Sequence, residues 1–205
     1  RSRIAKYYKA LKLLYRSISH VVDMKDFQSL EQFIQDYGSI QRGQSSQSLN
    51  LGCGGKPRNP FQAGSLWGVD IAPSTQSQIV QTDLTQDPIL FADRSMDFIT
   101  AFDFIEHIPR VVYLPSVRYL FIELMNEIHR VLKPEGFFLS HTPGFPFSAC
   151  FTDPTHVHPI TSETFSLYFD DERQWARIYG FNGSFTIVNQ ALVGTHLLSL
   201  LQKRS

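Results

Sequence analysis

The stretch Leu49-Asn50-Leu51-Gly52-Cys53-Gly54-Gly55 constrains this chain more than any other. A short apolar strand runs straight into a glycine-rich turn, and a backbone without Cβ atoms can bend tightly and let a ligand come close. In α/β proteins a turn of this kind is a common seat for a nucleotide cofactor. The dinucleotide fingerprint, however, needs a third glycine where helix packs on strand, and Pro57 occupies that place. A nicotinamide cofactor is therefore disfavoured. Pro57 and Pro60 together also predict that any helix after the turn is abbreviated or displaced.

Further segments follow in order. Asp70 closes the apolar run Leu66-Trp67-Gly68-Val69, and a carboxylate at a strand end can accept two hydrogen bonds from a ribose diol. Val80-Gln81-Thr82-Asp83-Leu84 reads as a short strand with a second carboxylate at its end. Residues 96–108 read as a strand that runs into Glu106-His107-Ile108, and residues 127–138 as a helix end, a turn and another strand. Over residues 45–145 this succession resembles the class I S-adenosylmethionine-dependent methyltransferases.

The resemblance implies an α/β fold: a Rossmann-like, mostly parallel seven-stranded sheet with helices on both faces and an antiparallel hairpin at the C-terminus. It implies S-adenosyl-L-methionine as cofactor and S-adenosylhomocysteine as product. The cofactor-binding residues it implies are Asn50, Gly52, Cys53, Gly54, Asp70, Ile71, Asp83, Leu84, Phe102 and Asp103. Among these, the glycine turn would hold the methionine part, Asp70 the ribose and Asp83 the adenine amino group, while Asp103 would hold the ammonium, position the substrate or be simply structural. Asn50 stands where the family often carries an acid, which keeps hydrogen-bonding capacity but removes a charge that would attract the ammonium.

At 205 residues the chain suits one domain: a helical cap and linker over 1–47, a cofactor-binding core over 48–142, and a substrate-side segment with closing strands over 143–205. Lysine plus arginine equals aspartate plus glutamate at 19 each, so no overall field favours nucleic acid. No run of about 18 apolar residues predicts stable membrane insertion. Two cysteines are too few for a disulfide framework, and a reducing, cytoplasmic location is expected. The N-terminus lacks the apolar core of a signal peptide, and the start at Arg1 is what a trimmed fragment looks like.

Residues 1–37 read as helical. Ile4, Tyr7, Tyr8, Leu11, Leu14, Tyr15 and Ile18 recur at helical spacing, while Arg1, Arg3, Lys6, Lys9, Lys12 and Arg16 precede the first acid, Asp23. The basic side is either a solvated face of a helix that covers the core or the substrate entrance, or a surface for anionic lipid or a phosphorylated substrate. A second helical stretch runs through Phe27, Leu30, Phe33, Ile34 and Tyr37, and residues 38–48 form a polar connector. The stripe Val117, Leu120, Phe121, Leu124, Ile128 and Leu132 predicts a helix stopped by Lys133-Pro134-Glu135-Gly136, followed by a strand over 137–142. Helix is then expected over 162–179, capped at Thr161 or Ser162, and strands over 183–190 and 195–202.

Methyl transfer is an in-line displacement, so the protein mainly aligns nucleophile and methyl group and excludes water. An alcohol acceptor must also lose a proton, which calls for a general base or a metal. Catalytic candidates are His156, His107 and Asp153, and substrate-binding candidates are His158, His141 and Phe145. In an extended Asp153-Pro154-Thr155-His156-Val157-His158-Pro159, the two histidines share a side and Asp153 can converge on them. That cluster reads as a histidine base oriented by a carboxylate, as a divalent-metal site, or as a plain polar turn; the metal is the less favoured reading beside the base. The segment is similar to one in bacterial methyltransferases encoded with surface-polysaccharide genes. The expected function is methylation of a hydroxyl on a small molecule or saccharide. Methylation of nitrogen or carbon, and a catalytically silent cofactor-binding subunit, are the alternatives.

Overall fold

The computed structural model describes residues 2–36 and 43–204. The side chains of Arg1 and Arg3, Tyr37, and residues 38–42 of the polar connector lie outside this set. The chain opens with helix α1 (Ser2–Val22), a short strand β1 (Asp26–Phe27) and helix α2 (Leu30–Asp36). It then forms β2 (Gln47–Leu51), β3 (Ser65–Asp70), β4 (Ile79–Gln81), β5 (Met96–Phe102), α3 (Leu120–Val131) and β6 (Leu132–Pro143). The last elements are α4 (Ala149–Thr152), α5 (Ser162–Tyr168), β7 (Phe185–Val193) and β8 (His196–Lys203).

One sheet carries all eight strands in the order β1-β7-β8-β6-β5-β2-β3-β4. Strands β2 to β6 run parallel, and β8 returns antiparallel between β6 and β7 to make the expected C-terminal hairpin. Central parallel strands are covered on both faces, which is why β2 and β5 read as nearly unbroken apolar runs. Strand β2 pairs with β3 on one side and with β5 on the other, so the winding reverses there. A reversal of this kind opens a crevice at the carboxyl ends of the strands.

Side chains alternate across the sheet to build two cores. Leu49, Leu51, Ile99 and Phe138 pack with α3 and α5 on one face, while Phe98, Leu139, Leu198 and Leu200 pack with Phe33, Ile34 and Phe61 on the other. Residues 52–64, between β2 and β3, are turns without a helix, where the two prolines predict an abbreviated or displaced one.

Four details differ from the sequence reading. The N-terminal helical stretch is interrupted, because Asp26 and Phe27 pair in parallel with Leu192 and Val193 and add an eighth strand at the edge. Strand β6 starts at Leu132, and its register against β5 jumps from Met96↔Leu132 to Phe98↔Phe137, so residues 133–136 bulge rather than merely stop the helix. The helix expected over 162–179 ends at Tyr168, because Asp170 turns the chain by accepting the Glu172 N–H at 3.1 Å and the Ile187 N–H at 3.0 Å. The apolar stripe of α1 covers no core: Ile4, Tyr7, Tyr8, Leu11, Leu14 and Tyr15 are all exposed. Among the described residues, no helix is long and apolar enough to cross a membrane.

Candidate active site

The parallel strands end along one edge, which brings Gly52, Asp70, Asp83, Asp103 and His141 to the same crevice. Gly52 leaves β2 at φ +59°, and a Cβ there would lie 2.3 Å from the Phe104 ring, so glycine is required for both backbone and space. The Gly54 N–H donates to Asp70 Oδ2 at 2.6 Å, and Asp70 Oδ1 accepts the Ala72 N–H at 2.9 Å. Asp70 therefore ties the glycine turn to the end of β3. Ile71 beside it is 66% exposed, an apolar surface at the mouth of the crevice.

Other residues of the expected cofactor set have structural duties. Asn50 is buried beneath the turn, where its Oδ1 accepts the Arg58 N–H at 2.9 Å and its Nδ2 reaches the Leu51 and Thr100 carbonyls. Cys53 is buried; burial first, and then the Asp70 charge, raises its thiol pKa, so it stays neutral and packs the turn onto Gly68. Asp83 caps its own turn through the Thr85 N–H, the Thr85 hydroxyl and Gln86 Nε2, and the Thr85 bonds chiefly hold its carboxyl below the usual range. Leu84 packs against the α3-side core. The Phe102 side chain points into the other core, with the Arg58 guanidinium 4.8 Å from its ring centroid.

Asp103 sits at φ +48° between two imidazoles, with His196 Nε2 at 3.0 Å and His141 Nδ1 at 3.7 Å. The two rings stack at 4.4 Å. Burial alone would raise the Asp103 carboxyl, but hydrogen bonds and charge from His141 and His196 outweigh it and hold the group well below the usual carboxylate range. A lasting anion at the end of β5 can hold an ammonium. His196 was not among the sequence candidates. It arrives only because β8 pairs antiparallel with β6, opposite Pro143.

A second cluster follows β5. Glu106 is buried, accepts the Thr142 hydroxyl at 2.7 Å, and its carboxyl pKa is raised mainly by burial. Its backbone oxygen accepts the N–H groups of both Val157 and His158, which docks the Asp-Pro-Thr-His segment on the crevice. Successive N–H groups of an extended strand point to opposite sides, so two of them on one carbonyl bend the chain and separate the histidines. His156 meets His107, ring centroids 4.8 Å apart and edge to face. His158 turns instead under Phe121, where burial, with Arg110 adding to it, lowers its pKa to about 3. The expected Asp153/His156/His158 cluster thus does not assemble. Asp153 acts through Thr155, whose N–H and hydroxyl it accepts at 2.8 and 2.6 Å, and Thr155 in turn meets His107 Nδ1 at 3.0 Å.

His158 lines a separate groove of about 550 Å³ with Phe121, Tyr168 and Trp175, on the α3 and α5 side of the sheet. Phe145 stacks on His20 at the end of α1, at 6.0 Å. The carboxylate of Glu106 was visible in the sequence only as the neighbour of His107, because nothing in its spacing distinguishes a buried acid from a solvated one.

A family model described as a methyltransferase domain matches residues 49–140. No curated protein matches the chain. Among solved structures, an S-adenosylmethionine-dependent methyltransferase from Archaeoglobus fulgidus is 16% identical with a TM-score of 0.54, covering 85% of this chain and 93% of its own. The 1,6-didemethyltoxoflavin-N1-methyltransferase of Burkholderia thailandensis, with 1,6-didemethyltoxoflavin and S-adenosylhomocysteine bound, is 13% identical at a TM-score of 0.55, covering 100% and 87%. A carbon methyltransferase, CurJ, is 13% identical at 0.52, covering 86% of this chain and 53% of its own. At these identities the likeness is one of fold. With the matched domain spanning Gly52, Asp70, Asp83 and Asp103 on that fold, residues 49–140 carry a methyltransferase domain and the chain is an enzyme of the methyltransferase class.

Proposed function

We propose that this enzyme methylates a hydroxyl oxygen of a small molecule or saccharide in the cytoplasm. The observation that carries the reading is the Glu106/His107/His156 cluster, whose ligand-type atoms lie within 4.8 Å of one another beside the glycine turn. Proton-handling groups of this kind are superfluous for an amine or thiolate acceptor and necessary for an alcohol. The Asp-Pro-Thr-His likeness to polysaccharide-associated methyltransferases supports a sugar hydroxyl.

The residues of the crevice fit the methyl donor. The turn at Gly52 leaves no room for a side chain, Ile71 offers an apolar face for the adenine, and Asp103 stays ionised for the ammonium. Asp70 takes the ribose hydroxyls while it orders the turn. When bound, S-adenosylmethionine supplies an electrophilic methyl group on a sulfonium. The protein aligns the acceptor in line with that carbon, and the Glu106/His107/His156 cluster promotes loss of the hydroxyl proton.

Calorimetric titration of the chain with S-adenosylhomocysteine beside NAD tests the first step. Only the former is expected to bind. Asp70→Ala removes charged acceptors from two backbone donors and the ribose, and is expected to weaken it roughly 10- to 100-fold, with Asp70→Asn in between. Across a panel of hydroxylated and amine acceptors, turnover is expected on hydroxyls, and His156→Ala should lower kcat on the order of 100-fold with S-adenosylhomocysteine affinity unchanged. Equal turnover by the wild type and His156→Ala would sink the proton-handling role. Cofactor binding with no turnover across the panel would return the silent-subunit alternative.

A further inference from the structure

The Glu106/His107/His156 cluster has the internal wiring of a metal site. Glu106 is only 2% exposed, and while its Oε2 is held by Thr142, its Oε1 has no hydrogen-bond partner among the described residues. A buried carboxylate oxygen left unpaired is costly and asks for a positive partner.

Each histidine has one ring nitrogen engaged elsewhere and one left for a ligand, and ligand-type atoms of the three residues lie within 4.8 Å of one another. His156 Nδ1 lies 3.1 Å from the Ala149 carbonyl, which can only accept, so the proton is on Nδ1 and the lone pair on Nε2. Thr155 donates its single hydroxyl proton to Asp153, so His107 Nδ1, at 3.0 Å from the same oxygen, must also be the donor. In the neutral imidazole, both rings therefore have the lone pair on Nε2. Metal-ligating histidines are held in this way, with the other ring N–H given to a carbonyl or, here through Thr155, to a carboxylate.

In the neighbouring Asp103/His141/His196 group the carboxylate is already engaged, with His196 Nε2 at hydrogen-bonding distance, 3.0 Å, from Asp103 Oδ1, and the buried atom left without a partner is His141 Nδ1 rather than a carboxylate oxygen.

We propose that Glu106, His107 and His156 bind a first-row divalent cation, of the Zn²⁺ or Mn²⁺ type, and that this cation takes the acceptor hydroxyl. Two imidazoles and one carboxylate suit such ions, whereas Mg²⁺ and Ca²⁺ prefer all-oxygen sets. Three protein ligands leave coordination positions open for the acceptor. The assignment rests on the methyl-transfer reading and deepens it. The bound hydroxyl loses its proton to water, its oxygen forms the new O–CH3 bond as the S–CH3 bond breaks, and the sulfur keeps that electron pair as a neutral thioether. One proton is released for each methyl ether formed.

The test is calorimetry on the chelator-treated chain with ZnCl2, MnCl2 and MgCl2, each beside a titration with S-adenosylhomocysteine. One equivalent of Zn²⁺ or Mn²⁺ is expected per chain, at least about 30-fold tighter than Mg²⁺. His156→Ala and Glu106→Gln should each weaken Zn²⁺ by at least about tenfold, and His196→Gln should not. Retained S-adenosylhomocysteine binding in these variants shows that they fold. Stoichiometric S-adenosylhomocysteine binding with no Zn²⁺ or Mn²⁺ bound would overturn the metal site and leave the methyl-transfer reading standing. Zn²⁺ binding indifferent to His156→Ala and Glu106→Gln would overturn it equally. If neither cation nor S-adenosylhomocysteine binds, both fall.

Discussion

Gly52→Ala is expected to lower affinity for S-adenosylhomocysteine by at least roughly 100-fold and the free energy of unfolding by about 2–4 kcal/mol. Two independent costs meet at this position. An L-residue at φ +59° is strained by about 1 kcal/mol or more. The new methyl group would also stand 2.3, 2.6 and 2.8 Å from Cδ2, Cγ and Cβ of Phe104. Since Cβ is among those atoms, a rotation of the ring cannot relieve the overlap, and the Phe104 backbone must shift. Phe104 leads directly into Ile105, Glu106 and His107, so the displacement reaches the acceptor side as well as the glycine turn. Gly54→Ala is the control: it shares φ +59° but has open space at Cβ. Denaturant midpoints and calorimetry on both variants separate strain from contact. Equal losses in the two would show that the Phe104 contact contributes nothing.

The second large effect is a loss of stability in acid centred on His158. Its folded pKa is about 3 against an ordinary value near 6.5, mainly because the ring is buried. Between those values the unfolded chain binds a proton that the folded chain refuses, so stability is full above about pH 6.5 and declines as the pH falls toward 3. At pH 4.5 this one residue is expected to have withdrawn about 2–3 kcal/mol, and on the order of 4 kcal/mol at pH 3. His129 adds to the decline with the same sign, since burial, with Lys203 adding to it, lowers its pKa to about 4. Urea unfolding at pH 7.5 and 4.5 measures the difference. His158→Gln cannot titrate and should flatten the decline, whatever it does to stability at neutral pH. An unchanged slope in that variant would place the acid sensitivity elsewhere.

Much of the core was legible from residue order. The apolar runs at Leu49, Leu66, Val80 and Phe98, each closed by a glycine or a carboxylate, announce parallel strands with a ligand edge, because a covered strand needs apolar residues on both faces and the loop after it carries the chemistry. The last two strands were legible as apolar runs, and their antiparallel pairing came from the family resemblance. Pro57 and Pro60 signalled an abbreviated or displaced helix after β2, and the structure goes further, with none over residues 52–64.

The assignment of individual side chains was less so. Asn50 and Phe102 stand in the strand positions that the resemblance points to, yet one is spent on the Arg58 N–H and the other on the far core. Strand periodicity indicates which face a residue occupies, but the neighbour it meets depends on a distant segment. The pairing of His156 with His107 shows this most clearly. Alternation along an extended chain put His156 beside His158, whereas the Glu106 carbonyl, fifty residues upstream, bends the segment and turns the rings apart. His196 reaches Asp103 through the antiparallel register of β6 and β8. Local pattern alone determined the core strands, the glycine turn and the carboxylates at the strand ends, since these arise from short-range sterics and burial. Tertiary structure decided which acids and histidines converge, because that depends on hydrogen bonds between segments that the sequence keeps far apart.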